Sequence, residues 1–269
     1  MALDNKVYMS GVCGFVADLL DEFYDVVKPG IATNYLNEYA VEYAKKHNLK
    51  HAPLGYKGFP KSICTSINDV ICHGIPSDYV LKDGDFLNID VTLIDENGWY
   101  GDSSRMYFVG DFSSNQNNLK KKLTLVTYNA MMLGIEKAVP ENRLSDIAIA
   151  IQKYVETFGF SVVREFCGHG IGKNFHEEPN VLHYLPPLFK GTSQDVVLKE
   201  GMTFTIEPMI NAGGWKSKIM SDGWTAKTKD GSLSAQFEHT IAVCKDSPEI
   251  LTKSRKNLDF PKELKNLKL

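Results

Sequence analysis

Apolar positions near the start of the chain recur at helical spacing. Val12, Phe15, Val16, Leu19, Leu20, Phe23, Val26 and Val27 fall on one face, and "KPG" ends the pattern because Pro29 and Gly30 do not continue a helix. A second helix is predicted from a cap at Thr33 through Leu36, Tyr39, Ala40 and Tyr43 to about His47. Helical spacing returns over Leu123 to Val139, and again in Ile147, Ala148, Ile151, Tyr154 and Val155, ending near Gly159. Other segments switch to a period of two. Around "NIDVTL", Leu87, Ile89, Val91 and Leu93 take one face and Asn88, Asp90 and Thr92 the other. Thr203, Thr205 and Glu207 likewise share a face, as do Gln236, Glu238 and Thr240.

Two of the strand-like runs echo each other. "LKDGDFLNID" (81–90) and "LKEGMTFTIE" (198–207) both read Leu-Lys-acid-Gly, then a β-rich run, then Ile and a carboxylate, with a constant offset of 117 residues. The echo predicts two related halves, each bringing a strand with an acid to a shared middle. Each half has a second acid on a neighbouring strand-like segment, Asp102 in "GDSS" and Glu238 in "SAQFEHTIAV". Taken singly, these acids belong to the solvated faces of one-sided antiparallel strands. Taken together, they invite a different reading.

A chain of 269 residues is long enough to bury a large core in one α/β domain. Its 30 basic and 33 acidic residues leave a formal charge of −3, which argues against a protein built on phosphate contacts, so no DNA partner is expected. Five cysteines, an odd number without a C-x-x-C pair, suit free thiols in a reducing compartment. No run approaches the roughly 18 apolar residues of a membrane span, and "MALDNKVYMSGVCGF" lacks a basic secretory start. The expectation is a cytoplasmic protein with no membrane partner.

If the four acids converge, two carboxylates about 5 Å apart repel by roughly 3 kcal/mol at an effective dielectric of about 20, and four of them make six pairs. Such a cluster must take up protons or cations, and two divalent ions would balance the four charges. Of seven histidines, His73 in "VICHGIP", His169 in "FCGHGIGKNF" and His176 in "FHEEP" lie in glycine- or proline-punctuated segments that present side chains from loops. His47, His51, His183 and His239 read as structural or exposed. "GHGIG" lacks the following helix of a phosphate-binding loop, and "HEEPNVLH" lacks the zincin spacing.

"CHGIP", "NIDVT", "GDSSRM", "GHGIG…FHEEP", "FTIEPM" and "AQFEHT", in that order, resemble a type I methionine aminopeptidase over residues 6 to 255. The resemblance implies an α+β pita-bread (creatinase/aminopeptidase) fold: a curved antiparallel sheet with outer helices and pseudo-two-fold halves. One catalytic domain over 1–255 and a lysine-rich tail over 256–269 are expected. It implies Asp90, Asp102, His169, Glu207 and Glu238 as ligands of two divalent ions (Co, Mn, Fe or Zn), with Asp102 and Glu238 bridging. A site of one imidazole and four carboxylates is hard and oxygen-rich. The same resemblance gives His73 and His176 contacts to the scissile peptide and makes Glu207 the proton shuttle. It assigns Tyr56, Phe59, Cys64 and Trp224 to the methionine pocket, and Asn68, Val70 and Ser234 to a monovalent cation (Na or K). The implied activity is hydrolytic removal of the initiator methionine from nascent polypeptides, preferentially before a small second residue. A monomer is expected.

This sequence departs from the family pattern in two places. The hairpin between Asp90 and Asp102 is one residue longer, with Tyr100 where histidine is common; direct opposition of the two acids needs closure around Glu96 or a bulge, whereas a plain Asn97-Gly98 turn would set Asp90 against Arg105. The segment 183–201 is also long and is expected to be a surface excursion. The nearest rival, a proline-directed peptidase on the same fold, usually carries a large N-terminal domain, whereas here the first helix starts near residue 6. A member that only binds proteins or RNA should have lost ligands, and one pair of sites makes a poor metal store. The lysine-rich tail reads as a solvated end in preference to a ribosome contact. The lack of a cysteine- and histidine-rich N-terminal extension reads as bacterial-type.

Overall fold

The stripe from Val12 to Val26 lies in a long helix, α1 (Leu3–Val26), in this computed structural model, which describes residues 3–113 and 117–264. The second helix, α2 (Thr33–Lys46), starts where expected but is not capped by Thr33. Ala32 holds the cap position, while the Thr33 hydroxyl accepts the Ser77 N–H at 2.8 Å and donates to the Ser77 carbonyl at 3.0 Å. A distant loop has claimed the side chain that a local cap would use.

Short strands β1 (Lys50–His51), β2 (Cys64–Ile67) and β3 (Val70–Cys72) lead to the long hairpin β4 (Phe86–Ile94) and β5 (Tyr100–Phe108). Helices α3 (Asn118–Glu136) and α4 (Leu144–Glu156) follow, with β6 (Ser161–Val162), β7 (Gly168–Gly170) and β8 (Glu177–Val181) after them. The last third adds β9 (Thr203–Ile206), β10 (Met209–Asn211), β11 (Ser217–Ile219), β12 (Ala226–Thr228), β13 (Ser234–Gln236), β14 (Glu238–Ala242) and β15 (Glu249–Ile250). The main sheet has nine strands in the order β1-β4-β5-β14-β9-β7-β8, with β2 on β4 and β15 on β14, and every pairing in it is antiparallel.

The 117-residue echo is a repeat of backbone structure. Gly84 and Gly201 both adopt positive φ, at 85° and 88°, in the turns that launch β4 and β9. Gly84 N–H donates to the Val109 carbonyl and Gly201 N–H to the Val243 carbonyl; Val109 and Val243 in turn donate to Asp85 and Met202. Upstream, Leu81 N–H reaches the Ile31 carbonyl before α2, and Leu198 N–H reaches the Asn142 carbonyl before α4. Each half therefore docks its second helix and its acid-bearing strand through the same bonds.

Helices cover the apolar face of the sheet. Val12, Val16, Leu19, Leu20 and Phe23 of α1, with Leu36 and Ala40 of α2, pack on Leu87, Ile89, Val91 and Leu93 of β4. In the other half, α3 and α4 pack on Phe204, Ile206, Phe237 and Ile241. The acids occupy the opposite face, and it is not a solvated one: Asn88, Thr92, Asp102, Ser104, Glu238 and Thr240 are all buried. A charged face largely withdrawn from water must be stabilised from within.

The hairpin register differs from both expected alternatives. Thr92 stands opposite Asp102 and Asp90 opposite Ser104, so the two acids are diagonal neighbours on one face. The cause lies at the tip. Asp95 Oδ1 accepts the N–H groups of Asn97 and Trp99, and Gly98 takes φ 77°, so Asp95 and Trp99 close a three-residue loop with a left-handed glycine. The tail reading also needs correction. Arg105 on β5 is fully buried and pairs with Asp21 of α1 and, at 3.1 Å, with Asp259; Phe260 packs against the Tyr128 ring at a tilt and Leu264 is buried. A buried guanidinium needs counter-charges, and the chain end supplies one. Residues 265–269 of the expected tail lie outside the described residues. Segment 183–201 runs over α4: Leu185 N–H donates to Gln152, and Asp195 accepts from Ser145. None of residues 184–201 lines the cavity described next.

Candidate metal centre

Five adjacent strands each deliver one carboxylate or imidazole, a side chain of the kind that can ligate a metal, to the same face. In spatial order β4 carries Asp90, β5 Asp102, β14 Glu238, the end of β9 Glu207 and β7 His169. Two adjacent inner strands of this row, β5 and β14, carry the two acids expected to bridge. Ligand atoms of Asp102, His169 and Glu238 lie within 4.8 Å of one another, and His169 Nε2 is 3.6 Å from Glu207 Oε1 and 3.7 Å from Asp102 Oδ2.

Local sequence explains how His169 enters. A Cβ at Gly168 would stand 2.4 Å from the Thr205 carbonyl oxygen, and one at Gly170 would stand 2.4 Å from that of Glu178. Only glycine on both sides lets β7 fit between β8 and β9.

The electrostatics point to a cation. His169 Nδ1 lies 3.0 Å from the Gly170 carbonyl and must donate to it, which leaves the bare Nε2 lone pair facing the Asp102 and Glu207 carboxylates. Burial pushes the His169 pKa down to about 4, so its own proton does not relieve that clash. Burial raises Asp90 to about 7 and Glu207 to about 8. Asp102 is held well above the usual carboxylate range by burial and then by Asp90, and Glu238 by burial and then by Asp102. Acceptor oxygens and one imidazole lone pair, all directed at one space, form a donor set that fits hard or borderline divalent ions.

Several supporting residues were not singled out from sequence. Thr92 Oγ1 donates to Asp102 Oδ1 at 2.8 Å. Thr205 Oγ1 donates to Glu207 Oε1 at 2.8 Å and accepts the His169 N–H at 3.0 Å, so one hydroxyl steadies two ligands. Gln236 Nε2 donates to the other Glu207 oxygen at 3.3 Å, and Asn88 bonds Ser104 and the Gln236 carbonyl. A period-two strand puts such groups on the ligand face, which was the one available signal.

The acids floor a cavity of about 570 Å³ whose walls include Tyr56, Phe59, Cys64, His73, His176 and Trp224. Phe59 and Trp224 meet edge to face at 5.2 Å, and His73 contacts Trp224 edge on at 6.0 Å. His176 stacks on Tyr56 at 5.2 Å and lies 4.2 Å from the His169 ring. His73 sits in the left-handed region at φ 56°, a conformation that aims its ring from the turn after β3 and costs strain. Cys72, Phe166 and Met209 line the wall as well. Asn68, Val70 and Ser234 lie outside the cavity; the Asn68 carbonyl accepts the Ser234 N–H at 2.9 Å, and Val70 pairs with Lys227. All five cysteines are free thiols. No described helix is long and apolar enough to cross a membrane.

Comparison with known proteins adds an independent line. Residues 8–245 match the model of Metallopeptidase family M24. The chain is 55% identical over 246 residues to a methionine aminopeptidase of Rickettsia prowazekii, covering 91% of each, and 50% identical over 238 residues to that of Escherichia coli, covering 88% of this chain and 86% of the other. A crystal structure of the Rickettsia prowazekii methionine aminopeptidase superposes with a TM-score of 0.87 at 52% identity over 93% of this chain and 97% of the other. Prolidase from Pyrococcus furiosus shares the fold at a TM-score of 0.70, with 20% identity over 94% of this chain and 64% of its own.

Proposed function

The chain belongs to metallopeptidase family M24, and from that premise we propose that it is a divalent-metal-dependent methionyl aminopeptidase that removes the initiator methionine from polypeptides. The observation that carries the reading is the row of five ligand side chains on adjacent strands beneath an aromatic cavity. In this reading Asp90, Asp102, His169, Glu207 and Glu238 would hold two divalent ions. The ions would supply Lewis acidity and water of lowered pKa at neutral pH.

The protein's own groups do the rest. The methionine side chain enters between Phe59, Trp224 and Cys64, where aromatic faces and a thiol suit a polarizable thioether. Its α-amino group is received beside Asp90, which keeps a partial opening into the cavity, and this confines cleavage to the first peptide bond. Glu207, held at both oxygens by Thr205 and Gln236, takes a proton from the attacking water and returns it to the departing amine. His73 and His176, which both line the cavity, offer ring nitrogens to the peptide and counter the charge developing on the carbonyl oxygen. A small second residue fits the rim that Tyr56 and His176 narrow by stacking. A monovalent cation held by the Asn68, Val70 and Ser234 segment, a cytoplasmic location and a monomeric state belong to the same proposal.

The test is a peptide panel on metal-loaded protein. Release of methionine from Met-Ala-Ser and Met-Gly-Ser, with internal bonds spared, is expected. Cleavage of an X-Pro peptide with no action on Met-Ala-Ser would transfer the chain to the proline-directed branch.

A further inference from the structure

Two residues past the end of β8, His183 turns its side chain inward. His183 is 1% exposed, and its Nε2 accepts the backbone N–H of Glu207 at 3.1 Å. Glu207 stands one residue past the end of β9, where pairing with β14 has stopped at Ile206 opposite His239, and the next residue, Pro208, has no N–H. An unpaired buried donor at such a break would cost about 1–3 kcal/mol, and the imidazole removes that cost. A ring nitrogen accepts only when it carries no proton, so the His183 hydrogen sits on Nδ1. The chain that carries the ring is anchored close by: two residues on, Leu185 N–H donates to Gln152 of α4.

We propose that His183 is a positioning residue for Glu207, an inference that rests on the reading of Glu207 as ligand and proton carrier. Both carboxylate oxygens of Glu207 are tethered, one to Thr205 on its own strand and one to Gln236 on β13. His183 adds the third point, on the backbone at the break, so the carboxylate cannot swing out of line with Asp90 and Asp102. Without that point the Cα is free to shift at the break, and the carboxylate shifts with it as the longer of its two tethers, the 3.3 Å bond from Gln236, gives way. A displacement of about 1 Å at a catalytic group can cost about 100-fold in rate. The pocket residues Phe59, Cys64 and Trp224 stand on other segments, so substrate binding is unaffected.

Two near-isosteric variants separate the acceptor from mere packing. The Oε1 of glutamine lies as many bonds from Cβ as the Nε2 of histidine, whereas the Oδ1 of asparagine falls one bond short. His183→Gln is expected to keep kcat within about 3-fold of the wild type, and His183→Asn and His183→Leu to lose about 10- to 100-fold in kcat, with KM changed by no more than about 3-fold. Calorimetric titration of Mn(II) into metal-free protein is expected to show affinity weakened in the Asn variant and restored in the Gln variant. The proposal is overturned if Gln performs no better than Asn in both kcat and Mn(II) affinity, or if Leu keeps wild-type values of both. If the Leu variant does not fold, the Gln–Asn contrast still decides. Wild-type protein that binds Mn(II) but releases no methionine overturns the functional reading instead, and the Mn(II) affinities continue to report on His183.

Discussion

Removing divalent metal from this protein is expected to make its stability fall as pH rises from 7 to 8. Asp102 and Glu238 offer ligand oxygens within 4.8 Å of each other, and two full charges at that distance repel by about 3.5 kcal/mol at an effective dielectric of about 20. The metal-free fold keeps protons that the unfolded chain gives up near pH 4: burial raises all four carboxylates above their ordinary range, and neighbouring carboxylates raise Asp102, Glu207 and Glu238 further. The sign follows. Groups with raised folded-state pKa stabilise the fold below the unfolded value, and that contribution is lost as pH rises through the folded value. One to two protons retained only by the folded state give a loss of roughly 1.4 to 2.7 kcal/mol per pH unit. The window is bounded by other groups. Below about pH 7 the histidines held low by burial, among them His169, His183 and His239, begin to protonate in the unfolded chain and act in the opposite sense. Above about pH 8 the buried thiols of Cys13, Cys64 and Cys72, raised by burial, add a loss of the same sign. Urea unfolding followed by tryptophan fluorescence in chelator at pH 7.0, 7.5 and 8.0 is expected to show the fall, and the same series with saturating Mn(II) to be flat. A metal-free series that is flat or rises would refute the argument that these carboxylates crowd one another.

Three further outcomes follow from the same geometry. Asp102→Asn is expected to lower turnover by at least about 100-fold and to weaken Mn(II) binding in calorimetry, since Asp102 stands on an inner strand and is oriented by Thr92; full activity would remove it from the site. Arg105→Met leaves the Asp21 carboxylate buried without its partner and is expected to cost about 3–5 kcal/mol in urea unfolding, whereas a change below about 1 kcal/mol would mean the pair is dispensable. Trp224→Ala opens one wall of the aromatic pocket and is expected to lower kcat/KM for Met-Ala-Ser by about 10- to 200-fold, chiefly through KM, with metal content unchanged; an unaltered KM would place the methionine side chain elsewhere.

The helices were legible because their stripes are simple, and the four acids because carboxylates recur in strands whose other face is apolar; their assignment as ligands, together with His169, was implied by the family resemblance. The 117-residue echo carried the relation between halves, since the turn glycines Gly84 and Gly201 and the strands they launch are written the same way twice. What stayed hidden depends on partners far away in the chain. The Thr33 hydroxyl is taken by Ser77, so a local capping rule fails there. The Asp90–Asp102 offset is decided by the Asp95 side chain folding over the hairpin tip, which strand periodicity does not encode. Thr92, Thr205 and Gln236 look like ordinary polar strand residues until the neighbouring strand is in place. The lysine-rich end reads as solvated because its charges dominate, while the anchors Asp259, Phe260 and Leu264 are spaced among them.

The central claim is that four carboxylates, Asp102 and Glu238 buried and Asp90 and Glu207 half-buried, and one bare imidazole lone pair tolerate each other because cations lie between them. Titration of metal-free protein with Mn(II), read by calorimetry and by elemental analysis after gel filtration, tests this most directly. About two ions per chain are expected, falling below one in the Asp102→Asn, Glu238→Gln double variant. Wild-type protein that takes up no Mn(II), or a double variant that binds as much as the wild type, would contradict it.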